Sequence, residues 1–62
     1  MKPTLAQLMK AYSEGRSAYR EGERRAHNPY AAEGNATLSA EWWDGFDDEA
    51  KARPRDEEET DK

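Results

Sequence analysis

Arg16, Arg20 and Arg24 recur at i, i+4 and i+8, with Arg25 beside the last. On a helix this spacing lines guanidiniums along one face, a chemistry that contacts the phosphates of RNA. The same spacing also permits a solvated, internally paired face, since Glu21 can pair with Arg25 and Arg20 with Glu23. A second set is acidic: Asp44, Asp47, Asp48 and Glu49, with more carboxylates after Pro54. Dense carboxylates can mimic nucleic acid in the basic groove of a DNA- or RNA-processing enzyme; more commonly they keep a small domain soluble. Tyr30 and Trp43 have the flat faces on which bases stack.

Other chemistries are excluded by type or spacing. His27 is the single histidine and there is no cysteine, so no metal site is expected. Asp47-Asp48-Glu49 lacks the glycine and alternate spacing of a calcium loop. No glycine-rich loop carries the lysine and Ser/Thr of a phosphate cradle, and no nucleophile sits with a base. The expectation is a protein that is not an enzyme and uses no cofactor.

The elements that must position these residues have little to build with. Of 62 residues, 34 % are apolar and 39 % charged, with no Val or Ile. The composition approaches that of disordered chains. Six aromatics, Tyr12, Tyr19, Tyr30, Trp42, Trp43 and Phe46, supply what core there is. Net charge is −4, split as +3 over residues 1–30 and −7 over 31–62. No apolar leader and no run of about 18 apolar residues occurs, so the expectation is a cytoplasmic protein without a membrane span.

Nothing nominates a strand, and the fold class expected is all-α. Thr4 and Gln7 have capping-box spacing, opening a first helix expected to run from about residue 4 to 26, short of Pro29. Leu5, Leu8, Met9 and Tyr12 form its apolar stripe. Ala11, Gly15, Ala18 and Gly22 lie on one ridge that a second helix can approach closely; the alternative is that one of the glycines ends the helix. At the helix end, a His27 imidazolium would complement the dipole. A second helix is expected over 39–53, with Ser39 as N-cap, Leu38 and Trp43 as its hydrophobic staple, and Leu38, Trp42, Phe46 and Ala50 on its inner face. Gly45 should face the first helix. A short connection would make the pair an antiparallel hairpin spanning residues 1–53, followed by a disordered acidic tail over 54–62. The unequal helix lengths leave Leu5, Leu8, Met9 and Tyr12 uncovered, a candidate self-association patch for a homodimer.

The order Gly15-x6-Gly22, Pro29-Tyr30 and Trp42-Trp43-Asp44-Gly45-Phe46 resembles the ribosome modulation factor family of small bacterial proteins. The resemblance covers about residues 10–53. It implies a two-helix protein that associates with the small ribosomal subunit and helps dimerise idle ribosomes in stationary phase. The family is also similar to small phage-borne proteins. The chain departs from the ribosome-binding members in being acidic and in placing Asn28 before the proline, where they often have cysteine. The partner expected is therefore the ribosome and its RNA, contacted by Arg16, Arg20, Arg24, Arg25, Tyr30 and Trp43. The alternative is a nucleic-acid-binding protein met by the acidic surface.

Overall fold

In the computed structural model, residues 2–54 are described; most of the expected acidic tail, residues 55–62, lies outside them. Helix α1 spans Leu5–Arg20, a 3-10 turn spans Arg25–His27, α2 spans Pro29–Ala32 and α3 spans Ala36–Ala52. No strand occurs among the described residues. The two long helices pack against each other, as the sequence leads one to expect.

Both ends of α1 follow from local chemistry. The Gln7 N–H donates to Thr4 Oγ1 at 3.1 Å, and the Thr4 N–H donates back to Gln7 Oε1 at 2.8 Å. This is the expected capping box. At the other end α1 stops at Arg20, six residues before the expected end. Gly22 takes φ +91°, a left-handed backbone that few residues but glycine adopt easily. The Glu23 N–H donates to the Ala18 carbonyl at 2.9 Å, and the Gly22 N–H to Tyr19 at 3.1 Å. That pair of bonds is a Schellman motif, so Gly22 terminates the helix instead of joining its ridge.

Within the connection, α2 is an additional helical turn. Asn28 caps it, accepting from the Tyr30 N–H at 2.9 Å, and Pro29 fills the first helical position. Helix α3 begins three residues before Ser39, because Asn35 is its cap and accepts from the Leu38 N–H at 3.1 Å. Ser39 is instead buried inside the first turns. With the cap at Asn35, Leu38 and Trp43 no longer occupy staple positions.

The core is small and mostly aromatic. Ala18, Tyr19, Trp42 and Phe46 form one buried cluster, flanked by Tyr30, Trp43 and Ala50. Phe46 stacks on Trp42 with centroids 5.2 Å apart and meets the edge of Tyr19 at 5.3 Å. Ala11 and Leu38 are buried as well. The helices touch backbone to backbone at Gly15 and Gly45. A Cβ on Gly15 would meet the Trp42 carbonyl and lie 2.9 Å from the Phe46 nitrogen; one on Gly45 would meet the Tyr12 carbonyl.

The direction of α3 differs from expectation. About the Gly15–Gly45 crossing, contacts advance together along both helices. On one side Glu41 borders a cleft with Leu5, Leu8 and Met9. On the other, Arg16 and Arg20 meet Glu49, and the Tyr19 hydroxyl donates to the Arg53 carbonyl at 2.5 Å. An antiparallel pair would put Tyr19 and Arg53 on opposite sides of the crossing, roughly 20 Å apart along the axes at 1.5 Å per residue. No tyrosine reaches that far. The physical reason is the connection, residues 21–35, which runs back along α3. Arg25 meets Asp47 and Trp43, and then Asn28 meets Ser39. A returning connection of this length lets α3 run in the same sense as α1.

Candidate functional site

The side chains of greatest interest gather where α1 and the end of α3 lie side by side. Arg16 and Arg20 stand one turn apart on α1, and α3 contributes Glu49 and, at its C-cap, Arg53. Glu49 is only 2 % exposed at its side chain, yet carries a charge. Arg16 Nε donates to its Oε1 at 3.0 Å. Its Oε2 lies 3.2 Å from Arg20 Nη1 and 3.1 Å from Arg53 Nε, in ion-pair range but off-line for a hydrogen bond. The Arg16 hydrogen bond, opposed by burial and reinforced by Arg20, holds the carboxyl below the usual carboxylate range. Three guanidiniums around one carboxylate leave a local surplus of two positive charges. The arginine side chains remain 49 %, 43 % and 69 % exposed, in chain order, so this surplus faces water.

The remaining basic and aromatic candidates lie elsewhere. Arg25 stacks over Trp43, 5.3 Å from its ring, and binds both oxygens of Asp47 at 2.5 Å. The Trp43 indole donates to the Arg25 carbonyl at 3.0 Å. These contacts fasten the connection to α3. Arg25 thus pairs with Asp47 on α3 and not with Glu21. Tyr30 donates from its hydroxyl to Glu14 at 2.5 Å, which pushes its pKa up to about 12. Arg24 sits outside α1, and its N–H donates to His27 Nδ1 at 3.1 Å. The row expected at residues 16, 20 and 24 is therefore broken by Gly22, and Arg53 joins Arg16 and Arg20 in its place. His27 lies in the 3-10 turn Arg25–His27, beyond the end of α1 at Arg20, so it does not stand at the helix end as expected.

The acidic candidates differ in burial and in partners. Asp47 is held by Arg25, Asp48 accepts from the Tyr12 hydroxyl, and Glu49 is buried among arginines. Asp44 is exposed and acts on the Tyr12 hydroxyl through its charge alone. The Asp48 contact, with burial, raises the Tyr12 pKa. At the start of α1, Leu5 and Met9 are 71 % and 62 % exposed. With Leu8, Tyr12, Ser13 and Glu41 they border a shallow cleft of about 380 Å3.

No family model, curated protein or solved structure matches this chain. Among the described residues no cluster of His, Cys, Asp or Glu could hold a metal ion, and no helix is long and apolar enough to cross a membrane.

Two features of this arrangement are not legible in the sequence. Arg53 is 33 residues from Arg20 and was hidden in what reads as a helix end. Asn28 donates its side-chain amide to the Ser39 hydroxyl at 2.8 Å and carbonyl at 3.1 Å, tying the connection to α3. The asparagine-proline pair signals a turn, but nothing local names its partner.

Proposed function

We propose that this chain is a non-enzymatic regulator resembling ribosome modulation factor, which binds a large cytoplasmic target, the small ribosomal subunit, through its basic face. The observation that carries this reading is the unequal fate of the two charged sets. Asp47 and Asp48 are paired with Arg25 and Tyr12 and Glu49 is buried among arginines, whereas Arg16, Arg20 and Arg53 outnumber the carboxylate they share. A nucleic-acid mimic needs unpaired outward carboxylates; Asp48 is exposed but bonded to Tyr12, and half-exposed Asp47 is neutralised by Arg25, so that second reading has less support. Most of the net charge of −4 comes from the end of the chain. Residues 55–62 hold five acids and two bases, and the rest of the chain holds nine acids and eight bases, net −1.

The family-like residues fall into the scaffold: Gly15 at the crossing, Gly22 at the helix stop, and Trp42, Gly45 and Phe46 in the core or at the crossing. A scaffold of this kind can keep its motif while its surface charge changes. The exposed Leu5 and Met9 give the same protein a second apolar contact, for another copy or for the target.

Co-sedimentation with purified small subunits over a salt series tests the reading. Binding should weaken steeply with salt and disappear in Arg16→Glu/Arg20→Glu. Salt-independent binding would refute the basic-face reading, and binding lost instead in Asp44→Asn would favour the acidic mode.

A further inference from the structure

We infer that Arg16, Arg20 and Arg53 form one phosphate-binding site, and that buried Glu49 is the residue that positions it. This inference deepens the functional reading above by naming the atoms that meet the ligand, and it rests on that reading for the ligand's source. Each guanidinium has five N–H donors. Arg16 gives one to Glu49, Arg20 gives one to Ser17 Oγ at 3.3 Å, and Arg20 and Arg53 approach Glu49 Oε2 without an in-line hydrogen bond. Most of the donors therefore remain for an outside acceptor. Because Glu49 is buried, it brings the three long side chains together without competing for the ligand at the surface. Planar guanidiniums favour bidentate contact with phosphate oxygens, and the surplus of two charges suits a phosphate dianion or two adjacent phosphodiesters. Arg24 and Arg25 stand apart from this site, one beyond the helix stop and the other bound to Asp47.

Charge alone and positioning make opposite predictions for one variant. Glu49→Gln removes a negative charge from the site. Were the arginines only a diffuse basic patch, this would tighten phosphate binding. If Glu49 positions them, binding weakens despite the gain in charge.

The test measures fluorescence anisotropy of a labelled single-stranded RNA oligonucleotide with the full chain. Circular dichroism of every variant, read as helix content and melting temperature, confirms folding. Arg53→Gln should weaken binding about fivefold at 0.1 M salt and reduce the salt slope by about 0.7, the loss of one phosphate contact. Arg53→Lys should recover only part of this, because it restores charge without the fork. Arg24→Gln should change affinity less than Arg53→Gln, and Glu49→Gln should weaken binding. Tighter binding by folded Glu49→Gln, or equal losses in Arg53→Gln and Arg24→Gln, overturns the site while leaving a general basic surface intact. A second arm titrates inorganic pyrophosphate in place of RNA. Pyrophosphate binding that needs Arg53, with no RNA or ribosome binding, keeps the site and overturns the ribosomal reading. RNA binding that millimolar pyrophosphate scarcely displaces identifies the polymer backbone as the source of the phosphates.

Discussion

Replacing Gly15 with alanine should destabilise this protein by about 2 kcal/mol, although Gly15 lies inside a helix where alanine is intrinsically better by about 1 kcal/mol. The new Cβ would fall on the Trp42 carbonyl oxygen, 2.8 Å from the carbonyl carbon and 2.9 Å from the Phe46 nitrogen. All three are backbone atoms, so no rotamer change relieves the clash. Carbon contacts are most favourable near 3.5–4.0 Å, so the helices must part by roughly 1 Å or more. Parting them also pulls the Tyr19 ring from the Phe46 ring it meets at 5.3 Å. Overpacking costs about 1–3 kcal/mol, and a rigid backbone collision sits at the upper end; subtracting the propensity gain leaves about 2 kcal/mol. In a domain of this size that corresponds to a fall in Tm of roughly 8–16 °C. Thermal and urea melts followed at 222 nm would measure it. Gly45→Ala should behave alike, and the double variant should cost less than the sum, because the first substitution already separates the helices. Gly22→Ala serves as a contrast: nothing lies within 4 Å of its added Cβ, so its cost, about 1–2 kcal/mol, comes from the left-handed backbone alone. A higher Tm for Gly15→Ala would refute the close crossing, since propensity by itself predicts that result.

Asn28→Ala should cost about 2 kcal/mol, because it removes the cap of α2 and strands the buried Ser39 groups; urea unfolding reads this directly. Acid should destabilise the fold through Glu49: its carboxyl is held low, so its contribution is present above the unfolded value near 4.3 and lost as pH falls through the folded value. In urea midpoints measured against pH, Glu49→Gln should flatten that limb; an unchanged limb would remove Glu49 as its source. At the alkaline end, Tyr30 is raised to about 12 by its bond to Glu14, so its contribution is complete below about 10 and lost as pH rises to about 12. Tyr30→Phe should remove that dependence from the same midpoints. Ending the chain after Pro54 changes the net charge from −4 to −1 and should tighten RNA binding several-fold at 0.05 M salt, with the gain fading at 0.3 M.

The sequence by itself determined what local chemistry can determine. Thr4 and Gln7 set the start of α1 through a bond pattern contained within four residues. The spacing of Leu38, Trp42 and Phe46 marked the inner face of α3, and Gly15 with Gly45 marked surfaces open to a neighbouring helix. Gly22 was legible as either a ridge residue or a stop, because alanine-like spacing and a left-handed turn leave the same letter in the chain. Tertiary structure decided the rest. The direction of α3 depends on whether residues 21–35 close a short turn or run back along the partner helix, and that is settled by Asn28 on Ser39 and Arg25 on Asp47, pairs that are 11 and 22 residues apart. The same decision built the basic site. A chain turning back directly would have carried Arg53 away from Arg16; one that returns first and then runs alongside brings Arg53 to Glu49 and both α1 arginines. Charge in a sequence is only a count, and which charges face water depends on which carboxylates the fold buries among them.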